Sequence, residues 1–305
     1  MAPAPQDIEY DAVVVGGGPA GLSAAGWLAL VRRQTVELES CEYRNRWVEK
    51  AHGYLGHDPL KPEALLDTAH SQLANYPNLT IVCTTAESIV PIPGGFRVVT
   101  ADGEYLSRRI VLATGTKDVF PDIPGFFEHY GSEVFHCPVC DGYEAKDRKV
   151  AVLGWSDQVT SFSVELANWA RSVTVVAQGT LIDKDDRVRA QLGRHRITLC
   201  EEDAVELLGK RGSLEGVRLE TGEILDCDYL FFSLPENPVN SLARQLGCEL
   251  DQDGHVVVDK QGRTSVDGVY AAGDLTPGEQ LIQVAAGQGT LAGVTCAESL
   301  LELPD

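Results

Sequence analysis

The sequence predicts an α/β fold of two Rossmann-like, doubly wound, three-layer domains. Three observations carry that prediction. An apolar strand pattern near the N-terminus, Tyr10 to Val15, runs into a glycine-rich turn and then an Ala- and Leu-rich helix. A second β-branched run, Lys149-Val150-Ala151-Val152-Leu153, leads into a related but altered turn. Two further strands, within Ile110 to Thr116 and Gly268 to Asp274, end in small-residue turns that match the first. Strands alternating with helices in this way form parallel sheets covered on both faces, so the strands read as nearly continuous apolar runs.

The first unit is the most explicit. Gly16-Gly17-Gly18-Pro19-Ala20-Gly21 gives G-x-G-x-x-G at Gly16, Gly18 and Gly21, and the helix is read over Leu22 to Leu30. A second strand ends near Val36-Glu37-Leu38 and is closed by Glu39. Gly16 permits the tight turn, Gly18 lets the backbone approach a pyrophosphate, and Gly21 lets helix and strand pack closely. The helix N-terminus faces the phosphates, and Glu39 can accept hydrogen bonds from a ribose hydroxyl. Strand, helix and terminal acid together make the fingerprint specific, where the glycines alone would not. Gly94-Gly95 and Asp102-Gly103 read as hairpin turns later in the same region.

Composition bounds the rest. The 305 residues suit two domains, and 44% hydrophobic with 23% charged residues is ordinary for a globular protein. No apolar run reaches ~18 residues, so no membrane-spanning helix is expected. Met1 to Asp11 has no basic segment of the secretory type, and a cytoplasmic location is expected. Lys and Arg number 25 against 45 Asp and Glu, a net charge of −20. That excludes a nucleic-acid or anionic-membrane footprint, because both need cationic surface.

The 8 cysteines are too sparse for a disulfide-stapled scaffold. Cys41, Cys83, Cys200, Cys227, Cys248 and Cys296 stand apart in sequence and read as buried, apolar-like residues. Cys137 and Cys140 differ, forming C-x-x-C within His136-Cys137-Pro138-Val139-Cys140-Asp141-Gly142. No second C-x-x-C and no H-x₃₋₅-H accompanies the pair, so redox use is preferred over a mixed Cys/His zinc site, and no metal is expected. Thiol–disulfide exchange uses one thiolate at a time, so the adjacent Asp141 suits a proton-handling role as well as a turn role. His136 reads as a surface residue.

GGGPAG, ATG, CPVCDG and AAGD occur in that order along nearly the whole chain. The set resembles the low-molecular-weight thioredoxin reductases. The resemblance implies a homodimeric FAD protein with a discontinuous FAD-binding domain and the C-x-x-C in an inserted domain. By motif position, Cys140 is the thiol facing the flavin, Cys137 exchanges with the substrate, and Asp141 handles the proton. FAD contacts are expected from Gly16, Gly18, Pro19, Ala20, Gly21 and Glu39, and from Ala113, Thr114 and Gly115 at the second turn. Gly273 and Asp274 would meet the ribityl chain. Gln283 and Val284 open a helix whose N-terminus suits the electron-rich edge of a reduced flavin.

The departures from this family concern its second nucleotide site. Gly154-Trp155-Ser156-Asp157-Gln158-Val159 keeps the first glycine, but Ser156 and Val159 replace the other two. The strand Ser172 to Ala177 leads to Gln178-Gly179-Thr180 and then Asp183, Asp185 and Asp186, not to basic residues. Arg187 and Arg189 come later than the family's arginines. Phosphate near several carboxylates meets repulsion on the order of 1 kcal/mol per near pair, so NADPH is not the expected reductant. Near the flavin, Ser40 to Trp47 lacks the family's Gly-Gly pair, and Ala51 to Asp58 carries His52 and His57. Either histidine is a candidate proton acceptor or a loop residue. This segment is similar to the branch that includes small-molecule dithiol oxidases.

The organisation read from these signals is residues 1–117 as the first part of the FAD-binding domain, 118–235 as the inserted domain, and 236–305 as the second part. The expected activity is electron transfer between FAD and the Cys137/Cys140 disulfide, with a thioredoxin-like protein or a small disulfide or dithiol as substrate. Ferredoxin is a candidate donor, given local basic residues at Arg44, Arg46 and Lys50 or at Arg194 and Arg196. Alternatives are an oxygen-dependent small-molecule dithiol oxidase and a non-catalytic flavin/thiol redox sensor.

Overall fold

A computed structural model describes residues 8–154, 158–178, 186–233 and 236–301. Trp155, Ser156, Asp157, Gly179, Thr180, Asp183, Asp185 and the Leu234-Pro235 exit lie outside the described residues. The chain begins with β1 (Tyr10–Val15), α1 (Pro19–Leu30), β2 (Thr35–Glu39), α2 (Pro62–Leu73), β3 (Leu79–Cys83), β4 (Ala86–Ile92), β5 (Gly95–Thr100), β6 (Gly103–Leu112) and β7 (Thr116–Asp118). It continues with α3 (Phe126–His129), β8 (Val134–Phe135), α4 (Pro138–Asp141), β9 (Lys149–Gly154), α5 (Val159–Leu166), β10 (Ser172–Val176) and α6 (Asp186–Arg194). β11 (Thr198–Cys200), β12 (Ala204–Lys210), β13 (Ser213–Leu219), β14 (Ile224–Leu225) and β15 (Tyr229–Ser233) follow. It ends with β16 (Glu236–Pro238), α7 (Ser241–Leu246), β17 (Val269–Ala271) and α8 (Ile282–Glu298).

The chain divides into two compact units, one of residues 1–46, 63–117 and 237–305, the other of 47–62 and 118–236. In the first unit the sheet runs β3-β2-β1-β6-β5-β4, with β17 also on β6. β1, β2, β3, β6 and β17 are parallel, while β4, β5 and β6 form an antiparallel meander. The order reverses at β1, and ligands of open α/β sheets bind beyond the strand ends at such a point. Val13, Val15, Val36, Leu38, Ile110 and Leu112 fill one face of the sheet. Ala12, Val14 and Val111 face the other, where small residues of α1 and α8 pack: Ala20, Ala24, Ala25, Ala292 and Cys296. α1 starts at Pro19, earlier than the Leu22 start read from the sequence, because Pro fits the first helical position.

The second unit holds a parallel sheet, β11-β10-β9-β15-β8, and an antiparallel one, β12-β13-β14. Both units thus have the Rossmann-like α/β character that the sequence predicts. Residues 47–62, grouped with residues 1–117 in the sequence reading, pack in this second unit. Trp47 lies against Phe127 with ring centroids 5.5 Å apart, Arg211 Nε donates to Glu49 Oε1 at 2.7 Å, and Glu49 N donates to Gly131 O at 3.2 Å. These contacts are non-local, so no linker composition marks the excursion. No helix among the described residues is long and apolar enough to cross a membrane.

Candidate functional site

The cradle in the first unit is built by close approach of backbones. Gly16 has φ +113°, and a Cβ there would lie 2.2 Å from Ala113 O, so only glycine fits. A Cβ on Gly21 would lie 1.7 Å from Gly16 O, which lets α1 start directly against the turn. Gly18 caps α1 without a side-chain bond, and nothing lies within 4 Å of where its Cβ would be. The amides of Ala20 and Gly21 precede the first helical bond, Leu22 N to Gly18 O at 3.0 Å, and so have no partner inside the helix. An anionic group fits there, as the pyrophosphate of FAD requires.

Glu39 ends β2 and is 6% exposed. Its carboxylate accepts from Tyr43 Oη at 2.9 Å and from His70 Nε2 at 3.3 Å. Two carboxylate oxygens offer about four acceptor sites, so capacity for a ribose remains. Gly17, at a variable position of the fingerprint, proves sterically fixed: a Cβ on it would lie 1.8 Å from Glu39 Oε2. Tyr43, His70 and Gly17 have no motif of their own in the sequence.

Ala113 N donates to Val15 O at 2.8 Å and Thr114 Oγ1 to Val239 O at 2.6 Å, which fixes the Ala113-Thr114-Gly115 turn beside the first one. Ala272 N donates to Leu112 O at 3.0 Å, and Gly273 N to Gln288 Oε1 at 2.9 Å. Asp274 pairs with Arg44 at 3.1 Å, and Arg44 also bonds Gln280. α8 opens after Leu281 with no side-chain cap, and Gln283 and Val284 lie in its first turn. Glycines that a Cβ would block, open space over Gly18 and a buried acid at the end of β2 together fit FAD.

The second unit carries the sulfur chemistry. Cys137 is the N-cap of α4, Cys140 N donates to its Sγ at 3.1 Å, and the two cysteines are joined as a disulfide with Cα atoms 5.2 Å apart. Both are half-buried, beside the exposed side chains of Val139 and Tyr143. Asp141 follows directly and is 5% exposed. Burial pushes its pKa from 3.8 up to about 7, against the lowering charge of His52 and with a further rise from Glu144. A carboxyl that titrates near neutrality can give or take a thiol proton.

His52 Nδ1 lies 2.7 Å from Asp58 Oδ1 and its Nε2 lies 3.2 Å from Glu144 Oε1. Burial lowers the His52 pKa, but the bonds and charges of Asp58 and Glu144 outweigh it, and the net shift is upward. His57 is exposed, with its ring 6.2 Å from that of Tyr54 and its N donating to Tyr54 O at 2.9 Å, so His52 is the histidine that meets Glu144 just past the C-x-x-C. His136 is half-buried, with Nδ1 3.2 Å from Tyr130 Oη, and is not the surface residue expected.

The expectation for two cysteines changes. Cys41 and Cys83, read as separate buried residues, are exposed and joined, with Cα atoms 5.9 Å apart, because parallel β2 and β3 end at the same level. Of the basic residues offered for ferredoxin docking, Arg194 and Arg196 are exposed, while the other three are ion-paired. Arg44 holds Asp274, Arg46 lies 3.9 Å from Glu42, and Lys50 lies 3.9 Å from Glu144. Arg189, which comes later in sequence than the family's arginines, is ion-paired with Glu201. Val159 is wholly buried in the core between α5 and β9, where the fingerprint would place glycine.

Among known proteins, a family model described as pyridine nucleotide-disulphide oxidoreductase matches residues 10–289. Thioredoxin reductase tcpT of Claviceps purpurea (strain 20.1) is 30% identical, with 95% of this chain and 94% of that protein covered. The crystal structure of HlmI matches with a TM-score of 0.90 and 31% identity, covering 95% of this chain and 92% of the other. A putative thioredoxin reductase, TrxB from Bacillus anthracis, matches at TM-score 0.88 and 31% identity, covering 95% and 98%.

Proposed function

The chain belongs to the pyridine nucleotide-disulphide oxidoreductases, among their thioredoxin reductase-like members, and from that premise we propose that it exchanges electrons between FAD and the Cys137/Cys140 disulfide without using NADPH. It is a flavin oxidoreductase acting on a sulfur group, with FAD as its cofactor. The observation that carries the sulfur chemistry is the half-buried Cys137–Cys140 disulfide followed by a buried Asp141 that titrates at about 7.

Gly16, Gly18, Gly21 and the first turn of α1 would hold the FAD pyrophosphate, Glu39 the ribose, and Gly273-Asp274 with α8 the flavin end. Bound FAD supplies the two-electron partner that oxidises or reduces the cysteine pair. The chain's own residues do the rest. A substrate thiolate attacks Cys137 Sγ, the Cys137–Cys140 bond breaks, and Cys140 leaves as thiolate. The second substrate thiol loses its proton and its thiolate attacks the mixed disulfide. The substrate disulfide forms, and Cys137 leaves as thiolate. Asp141 accepts and returns the proton, and its burial keeps that proton exchange near neutral pH.

Exclusion of NADPH rests on Val159 filling the place of a packing glycine and on Arg189 being held by Glu201. The substrate is a thioredoxin-like protein or a small disulfide or dithiol, and the protein works as a homodimer in the cytoplasm. A second reading follows from the occupied basic residues. With Arg44, Arg46 and Lys50 each facing a carboxylate, electrons in this reading enter from a small dithiol and leave to oxygen. Dithiol and O₂ then give disulfide and hydrogen peroxide. Anaerobic stopped-flow mixing with NADPH and, separately, with dithiothreitol tests the proposal. The dithiol should reduce the bound flavin, and NADPH should not. Saturable flavin reduction by micromolar NADPH within seconds would show an ordinary NADPH-dependent reductase.

A further inference from the structure

We infer that Cys41 and Cys83 are a second redox-active pair, which closes the ribose end of the FAD cradle when oxidised and loosens it when reduced. The inference rests on FAD occupying that cradle, as in the reading above. β2 and β3 are parallel, and their register sets Cys83 opposite Glu39. Paired residues of parallel strands point to the same side of a sheet. Cys41 stands two residues beyond Glu39 with φ +60°, which turns the chain back, and its Sγ lies 3.8 Å from Glu39 Oε1. The Cα separation of 5.9 Å falls where disulfides form without backbone movement.

Exposure separates this pair from the free thiols, of which Cys200 is half-buried. Cys227, Cys248 and Cys296 are buried. Burial pushes the thiols of Cys227 and Cys296 to about 12 and raises that of Cys248, so these three are inert. Cys41 and Cys83 are both open to solvent. The bond between them also has a lever. Tyr43, two residues past Cys41, donates to Glu39, so a tie from Cys41 to β3 fixes the segment that orients the ribose acid.

The exchange balances with a disulfide as oxidant. The Cys41 thiolate attacks the reagent disulfide and releases one thiolate. The Cys83 thiolate then attacks the Cys41 sulfur, forms the Cys41–Cys83 bond and releases the second thiolate. Two protein thiols lose two electrons, one reagent disulfide gains them, and the two protons leave with the released thiols.

The test uses the FAD-loaded full chain carrying Cys137→Ser, Cys140→Ser and Cys200→Ser, so that the second pair carries the only unburied thiols. Samples equilibrated with glutathione disulfide or with dithiothreitol are digested without reduction and mapped by mass spectrometry. FAD release is followed by its fluorescence on dilution. A Cys41–Cys83 cross-linked peptide is expected only in the oxidised sample, with FAD release roughly tenfold slower there. Cys83→Ser should abolish that difference. Glutathione adducts on each cysteine without a cross-link would overturn the inference, as would a cross-link with unchanged FAD release. A chain that retains no FAD in either state overturns the cradle assignment itself and with it the holding role.

Discussion

Replacing Asp141 with Asn should stabilise the protein and slow its turnover at the same time. Asp141 is 5% exposed, and burial is the first cause of its raised pKa. A rise from 3.8 to about 7 means that ionising Asp141 in place costs about 4 kcal/mol relative to water. Between those two values the unfolded chain has lost the proton and the folded chain keeps it, so this residue's contribution makes stability fall as pH rises. Below the lower value both states are protonated and the cost vanishes. Above the upper one it is complete. Asn removes the ionisation at every pH. The variant should therefore match the parent near pH ~4 and exceed it by up to about 4 kcal/mol at pH ~8. The assay is urea denaturation of FAD-loaded, oxidised protein across that range, paired with dithiol turnover near neutrality. Turnover should drop by about 10²-fold or more, the usual range for loss of a general acid–base. A stability gap that does not change with pH, or turnover unchanged in the variant, would refute the reasoning.

Further outcomes follow from other groups. Glu39→Ala should speed FAD loss by about tenfold or more, since hydrogen bonds to a charged acceptor are worth ~1.5–3 kcal/mol; ultrafiltration of the loaded protein reads it. Glu37 is wholly buried in β2, neither carboxyl oxygen has a hydrogen-bond partner, and burial followed by the charge of Glu39 raises its pKa well above the carboxylate range. Glu37→Leu should then stabilise the fold by about 1–3 kcal/mol in urea, because an unsatisfied buried polar group is removed. His52 has a raised pKa, so the stability from its pairing with Asp58 and Glu144 is present below its ordinary value of 6.5 and lost as pH rises through the raised one. His52→Asn should accordingly cost a small amount, about 0.5 kcal/mol, on the acid side only, as expected of partly exposed pairs, and pH-dependent thermal melts would show it.

Local chemistry made part of this site legible in the sequence. The turn at Gly16 to Gly21 needs small residues for reasons internal to six positions, and Glu39 ends the strand that the turn predicts. Cys137 and Cys140 announce themselves by spacing, and Asp141 by adjacency. The partners of these residues come from elsewhere. His70 reaches Glu39 from the last turn of α2, and His52 meets Glu144 across a wide gap in sequence. Nothing in the local pattern of either histidine encodes that meeting. Cys41 and Cys83 illustrate the same limit, since only the parallel register of β2 and β3 brings them together. A reader who followed the alternation of strand and helix could have noticed that both cysteines stand at neighbouring strand ends. The excursion of residues 47–62 into the second unit rests on Glu49, Trp47 and their non-local partners, and it left no mark in composition.

The most direct test of electron exchange through the Cys137/Cys140 pair is an anaerobic dithiothreitol titration of the FAD absorbance, run on the parent and on Cys140→Ser. The parent should bleach as the dithiol is added, and the variant should keep its oxidised spectrum. Equal bleaching at equal rates in both proteins would show that electrons reach the flavin without passing through Cys140.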